Sequence, residues 1–280
     1  MTTVSPPVHP VLTSPSSDNR TSRVLLPDLL RSEWTKLRSV PSTYWTLLVA
    51  AVATIGLGAL FCAIYVSRYG KPSPFHRVSF NPTSYSLSGI MLTQLAIAVL
   101  GVLVITSEYN TGMIRTTLTA VPQRRTLFAA KALVFTVTTL VIGIASCFGA
   151  FFLGQAILSR HHLETTIGSP GVLRAVVGAG LYLAVLGLLS LGIGALLRST
   201  AGAIATVVGL VLVLPGIAAA LPTSWANSID KYLPSNAGQA IFHVNTQAHM
   251  LSPWAGFAVF CAYAAAALVG AGYLLHRRDA

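Results

Sequence analysis

Hydrophobic and polar positions along this chain fall into long blocks rather than short alternations. Six stretches, 44–66, 87–106, 132–153, 175–197, 201–221 and 254–275, contain no Asp, Glu, Lys, Arg or His. Each is long enough to cross a bilayer, which takes about 20 apolar residues at about 1.5 Å of rise each. A lone spanning segment must satisfy its backbone hydrogen bonds internally, so each is expected to be a helix. A transmembrane β-barrel would show alternating segments of about ten residues, and these runs do not alternate. The expected fold is therefore an all-α membrane protein with six transmembrane helices.

Two polar connectors carry a weaker, helical period. In "LLPDLLRSEWTKLRSVP" (25–41), Leu26, Leu30, Trp34 and Leu37 recur at spacings of four, four and three, which places them on one stripe. Arg31, Thr35 and Arg38 fall on the other side. Pro27 suits a first helical turn, and Pro41 discourages continuation. Residues 25–43 are thus expected to form an amphipathic helix at the membrane interface, with Leu30, Trp34, Leu37 and Arg38 meeting the lipid boundary. In "SEYNTGMIRTTLTAVPQRR" (107–125), Thr111 can cap a short helix starting near Gly112. Ile114, Leu118 and Val121 then share a face, Arg115 points elsewhere, and Pro122 closes the helix. By contrast, Arg198-Ser199-Thr200 is no more than a turn. The longer connector is the better candidate for docking a partner.

Composition fits this picture. The 280 residues are 54% hydrophobic and 9% charged, whereas a soluble domain is about a quarter charged. Residues 1–24 precede every apolar run; 1–22 are rich in Pro, Ser and Thr. They are read as a disordered tail rather than a signal peptide. The domain plan is then the tail 1–24, the interfacial helix 25–43, the six-span unit 44–275 and a short end at 276–280.

Net charge is +11. The basic residues flank the spans, so lipid headgroups explain them better than nucleic acid does. If the N-terminus is cytoplasmic, the inner segments carry twelve Lys and Arg and the outer segments six, at nearly equal length. This excess places both termini in the cytoplasm, with the 107–125 connector on the same side.

Several chemistries are not supported. An ion-driven transporter usually keeps ionisable residues within the membrane, and these spans hold none. No GxxxxGK[ST] phosphate loop occurs, so ATP is not expected to bind this chain. An intramembrane protease would need Ser–His, Asp–Asp or a metal site at membrane depth. Cys62, Cys147 and Cys261 all lie within spans and read as packing residues. "HHLE" (161–164) reads as a solvated loop, so no metal site is assigned.

Three segments, "SEWTKLRSVPSTYWTLL" (32–48), "TSEYNTGMIRTTLTAVPQRRTLFAAK" (106–131) and "YLPSNAGQAI" (232–241), resemble the permease subunits of actinobacterial type-2 ABC exporters. The central pattern is a Glu ending the second span, a Gly, a Pro, a basic residue and a Lys opening the third. Here these are Glu108, Gly112, Pro122, Arg125 and Lys131. The resemblance implies an elbow-like helix before the first span, a coupling helix at 107–125, and short outer helices within 222–253. It also implies a separate ABC ATP-binding subunit that carries ATP and Mg, and a second permease copy or sister permease. ATPase coupling would fall to Glu108, Tyr109, Gly112, Ile114, Arg115, Leu118, Pro122 and Arg125. The expected activity is ATP-driven export of an amphipathic or hydrophobic cargo across the plasma membrane, with no catalysis by this chain. A non-transporting membrane scaffold or sensor, or a passive channel, stays open as an alternative.

Overall fold

A computed structural model describes residues 26–69, 80–110, 124–220, 229–245 and 250–277. Among the described residues the structure is helical, in the order α1 (Leu26–Ser39), α2 (Pro41–Arg68), α3 (Pro82–Ser86), α4 (Ile90–Asn110), α5 (Arg124–Leu158) and α6 (Val172–Leu197). There follow α7 (Thr200–Val208), a π-helical stretch (Gly209–Val213), α8 (Leu214–Ala219), α9 (Pro234–Gln239) and α10 (Pro253–Arg277). Single 3-10 turns lie at Ser159–His161, Asp230–Tyr232 and Ala240–Phe242. Six helical units are long and apolar enough to cross a membrane, and each contains one of the six uncharged runs or most of it.

Pro41 decides the first corner. It forbids α1 from continuing through Val40, whose backbone is extended, and it occupies the first turn of α2, where its missing N–H costs nothing. The third span is longer than its apolar run. α5 has 35 residues, or about 52 Å at helical rise, against a hydrocarbon core of about 30 Å. Its first turns therefore have length to spare outside the apolar core, and Lys131 sits in them.

The core is built around α6, which is buried along most of its length and packs against α4, α5, α7 and α10. Its sequence, VLRAVVGAGLYLAVLGLLSLGIGALL, is rich in Gly and Ala. Small residues let neighbouring helices approach closely, which is the main route to helix packing in lipid. α2 lies outside, on α4 and α5, and is held by buried polar contacts. Thr54 and Thr93 share a 2.6 Å hydroxyl–hydroxyl hydrogen bond, and Thr93 Oγ1 also donates to Ala50 O at 3.2 Å.

The far end of the bundle is closed by α3, α9 and their connections. Gln155 Nε2 donates to Ser86 Oγ at 3.0 Å, and its Oε1 accepts from the Thr165 backbone N–H at 2.8 Å. Arg174 donates to the carbonyls of Ile241 (3.2 Å) and His243 (3.0 Å). α9 lies so close to α6 and α10 that a Cβ on Gly238 would meet the rings of Phe260 at 2.7 Å and Tyr182 at 2.8 Å. The short helices at Asp230–Tyr232, Pro234–Gln239 and Ala240–Phe242 agree with those expected within 222–253.

The fifth span is expected to bend at Pro215–Gly216. The departure from regular helix falls one turn earlier, in the π stretch Gly209–Val213. Pro215 lacks an N–H and its ring crowds the carbonyl four residues back. A wider π turn there absorbs both effects and lets α8 continue. In α10, Ala258, Ala262, Ala266 and Gly270 recur at spacings of four; the three alanines are exposed, while Gly270 is half-buried beside Leu196 of α6. The residues that pack inward are Phe260, Ala264, Ala267 and Ala271, on a different face of the same helix.

Candidate functional site

The largest concentration of charge in the described structure lies where α4 ends and α5 begins. Glu108 occupies the last turn of α4, and Lys131 the second turn of α5. α1 lies across both. Its inward face is made by Leu29, which is buried with Leu127 and Ala130 of α5, and by Glu33 one turn later. The Leu29 contact sets the depth at which the Glu33 carboxylate arrives.

Lys131 Nζ donates to Glu33 Oε2 and to Glu108 Oε1, both at 2.7 Å. Lys36 Nζ donates to the other oxygen of Glu33 at 2.6 Å and stands 3.6 Å from Glu108 Oε1. Two ammonium groups thus alternate with two carboxylates. Glu33 is 2% exposed, Lys131 6% and Glu108 9%, while Lys36 is only half-buried.

Isolated burial of any one of these charges would cost several kcal/mol. The alternation offsets that penalty by giving each charge an opposite neighbour within hydrogen-bond reach. Burial by itself would raise the Glu33 pKa, but Lys131 and then Lys36 outweigh it, and the carboxyl is held below its ordinary value. Burial would likewise lower Lys36; its bonds to Glu33 and Glu108 overcome that and hold the ammonium above its ordinary value. All four groups face one another across three helices, so the cluster is a joint between α1, α4 and α5. A groove of about 430 Å³ opens beside it, lined by Lys36, Thr43, Leu103 and Ser107 among others.

A second contact fixes the end of α4. The Arg198 guanidinium lies over the Tyr109 ring, 5.3 Å from its centroid, an arrangement worth about 0.5–2 kcal/mol. Arg198 is placed by a tight turn: it adopts the left-handed conformation (φ 54°) and closes α6 through its N–H to Gly194 O. Ser199 then caps α7, its hydroxyl accepting from Gly202 N.

Of the sequence-derived coupling residues, the structure brings Glu108 and Tyr109 into this region. Gly112, Ile114, Arg115, Leu118 and Pro122 lie outside the described residues, as does the side chain of Arg125. On α1, Leu30 and Leu37 are half-buried, Trp34 is 50% exposed and Arg38 is exposed. The apolar stripe is therefore split: Leu30 packs against the Leu29–Leu127–Ala130 cluster, while Trp34 stays exposed. The face that α1 turns toward α5 centres on Leu29 and Glu33, and the α5 cation it meets is Lys131.

Glu33 is the residue that sequence reasoning missed, and Lys131 was placed only as a motif position. The chain has only seven acidic residues, so a Glu in the helix before the first span is noticeable, but no local feature marks it as buried.

Residues 29–216 match the family model described as ABC-2 family transporter protein. The match begins at the buried Leu29 of α1 and ends beside Pro215 of α8, so both halves of the charged joint fall within it. No curated protein matches the chain.

Proposed function

The chain belongs to the ABC-2 transporter family and is a membrane-spanning permease subunit of an ABC transporter; from this we propose that its charged joint transmits force from a separate ATP-binding subunit to the spans. The observation that carries the proposal is the pair of hydrogen bonds that Lys131 donates to Glu33 and Glu108. It ties α1 to the two helix ends between which the 111–123 connector runs. A push on that connector reaches Glu108 and Lys131 at once, and through Lys131 it reaches α1. The three helices then move as one rigid piece instead of fraying separately.

In this reading 107–125 holds the coupling helix, with Gly112, Ile114, Arg115, Leu118, Pro122 and Arg125 facing the ATPase. ATP and Mg bind on that partner. Both termini are cytoplasmic, and α1 lies in the inner interface of the plasma membrane, its Leu30–Trp34–Leu37 stripe toward lipid and Arg38 toward headgroups. Two permease copies, or one copy and a sister subunit, complete the pore. Transport is outward, and the cargo is amphipathic or hydrophobic, which suits spans without internal charge.

Affinity purification from the native membrane in mild detergent tests this. Tagged wild type is compared with Ile114→Ala/Arg115→Ala and with Lys131→Met. Wild type is expected to bring down a protein with phosphate-loop motifs and ATPase activity. The connector variant is expected to lose the partner. The Lys131 variant is expected to retain the partner but lose cargo-stimulated ATPase. If wild type captures no nucleotide-binding protein in several detergents, the coupling reading fails and a scaffold or channel takes its place.

A further inference from the structure

A second cavity, of about 400 Å³, lies at the other end of the bundle from the charged joint. Its walls come from the start of α4 (Met91, Gln94), the π stretch (Leu212) and α9 (Ser235, Asn236, Gln239). The volume is within the range of about 300–1,000 Å³ typical of small-molecule pockets.

Three features mark the cavity as more than a packing gap. Gln94 is nearly fully buried, and its Oε1 accepts from the Tyr182 hydroxyl at 2.7 Å. Tyr182 is itself clamped between Phe242 and Phe260. The carboxamide is thereby oriented, with Nε2 left as a donor uncommitted among the described residues. Ser235 is 1% exposed, and its Oγ has no hydrogen-bond partner among the described residues. Buried hydroxyls without partners are rare in native structures and call for an explanation. Asn236 commits Nδ2 to Asp230, at 2.6 Å to Oδ1 and 3.2 Å to the carbonyl, which leaves its own amide oxygen as an acceptor. The cavity thus offers the Gln94 Nε2 donor and the Asn236 Oδ1 acceptor on an apolar wall.

The charge of the lining is equally specific. Among the described residues no Asp, Glu, Lys or Arg lines it; the titratable group is His243. Burial, and then nearby Arg174, hold the His243 pKa below its ordinary value, which favours the neutral imidazole. A bound ion would find no counter-charge here, and desolvating it would be costly. The wall formed by Leu212 belongs to a π turn, a local geometry that recurs at functional sites.

We infer that this cavity binds an uncharged amphiphile, one that presents a carbonyl and a hydroxyl or amide N–H on an apolar frame. The carbonyl takes Gln94 Nε2, and the hydroxyl or amide N–H takes Asn236 Oδ1. Binding is a property of this chain alone; that the bound molecule is cargo rests on the transporter reading.

The test uses the purified full chain in phosphatidylcholine nanodiscs and two photoreactive probes. One is an N-octyl amide carrying an alkyl diazirine; the other is the same frame ending in trimethylammonium. Labelled peptides are identified by mass spectrometry. The amide is expected to label saturably on the peptides holding Met91 and Leu212, with the cation about ten-fold weaker or more. Gln94→Leu is expected to raise the half-saturating concentration about ten-fold.

Labelling that never saturates, or that spreads evenly over the lipid-facing helices, overturns the inference. So does equal labelling by the cation. So does a Gln94→Leu variant that binds the amide as wild type does. The purification experiment touches none of these residues. Capture of an ATPase without saturable labelling defeats the cavity alone; saturable labelling without an ATPase defeats the transporter reading alone.

Discussion

Glu33 and Lys131 are 98 positions apart in sequence and 2.7 Å apart in space. Their contact converts a helix that lies outside the spans into part of the membrane domain. Truncating Lys131 leaves two buried carboxylates facing each other with only the half-exposed Lys36 between them. Lys131→Met is expected to destabilise the protein by about 3–5 kcal/mol, the usual result of removing one side of a buried pair. Thermal unfolding in detergent measures this. Glu33→Gln/Lys131→Gln, which removes one charge of each sign, is expected to melt above Lys131→Met; equal melting would mean that pairing at Glu33 contributes nothing.

Acid should detach α1. Glu33 has its carboxyl held below the ordinary value of 4.5 by Lys131 and Lys36, against burial. A depressed carboxyl contributes stability that is present above its unfolded pKa and is lost as pH falls through the folded value. Lys36, raised above 10.5, contributes below that value and loses its contribution only as pH rises beyond it. Between these limits the joint holds. A spin-label pair placed at Thr35 of α1 and exposed Leu133 of α5 should keep a constant distance near neutral pH. The distribution should broaden once the pH falls below the ordinary carboxyl value of 4.5 and on through the lowered value at which Glu33 protonates. Glu33→Gln should be broad at every pH.

Gly238 cannot carry a side chain without moving an aromatic ring. A methyl there meets Phe260 and Tyr182 well inside van der Waals contact. Gly238→Val is expected to cost about 1–3 kcal/mol or more by overpacking. The same change at Gly272, which has open space around it, should be tolerated much better, and the comparison of melting temperatures separates overpacking from a general intolerance of β-branching.

Arg174 pins the loop beyond α9 through two carbonyls. Hydrogen bonds from a charged donor contribute about 1.5–3 kcal/mol each. Arg174→Met should therefore accelerate amide hydrogen exchange across 240–245 by at least about ten-fold while leaving α4 and α5 protected. It should also raise the His243 pKa toward its ordinary value, since a nearby positive charge is one of the two causes holding it down. NMR titration of the imidazole reads that shift.

What the sequence made legible divides along physical lines. The six spans could be read directly, because hydrocarbon imposes one requirement on every residue of a run and the requirement is local. α1 could be read from Pro27, Pro41 and its stripe, again within one turn or two. Glu33 could not, because its partner is 98 positions away and nothing local distinguishes a buried Glu from a solvated one. The π stretch was displaced from the expected bend at Pro215 because a helix can relieve a proline before it as well as at it. In α10 the Ala258–Ala262–Ala266–Gly270 spacing offers a surface for close helix approach, of which Gly270 meets α6 within this chain, and the fully buried face is Phe260, Ala264, Ala267 and Ala271. A helix so rich in Ala offers several small-residue stripes, and only the shape of α6 selects among them. The coupling residues from Gly112 to Pro122 rest on resemblance, with Glu108 and Tyr109 as their described anchors.

The joint of Glu33, Lys36, Glu108 and Lys131 contains two charges of each sign. Moving one elementary charge across a membrane potential of about 100 mV takes about 2.3 kcal/mol; moving this group as a unit takes none. In the proposed reading, where the joint moves together with α1, α4 and α5, the most highly charged contact stays electrically silent in a polarised membrane. On that reading a charge-changing substitution at any one of the four positions would leave a net charge there for the membrane potential to act on.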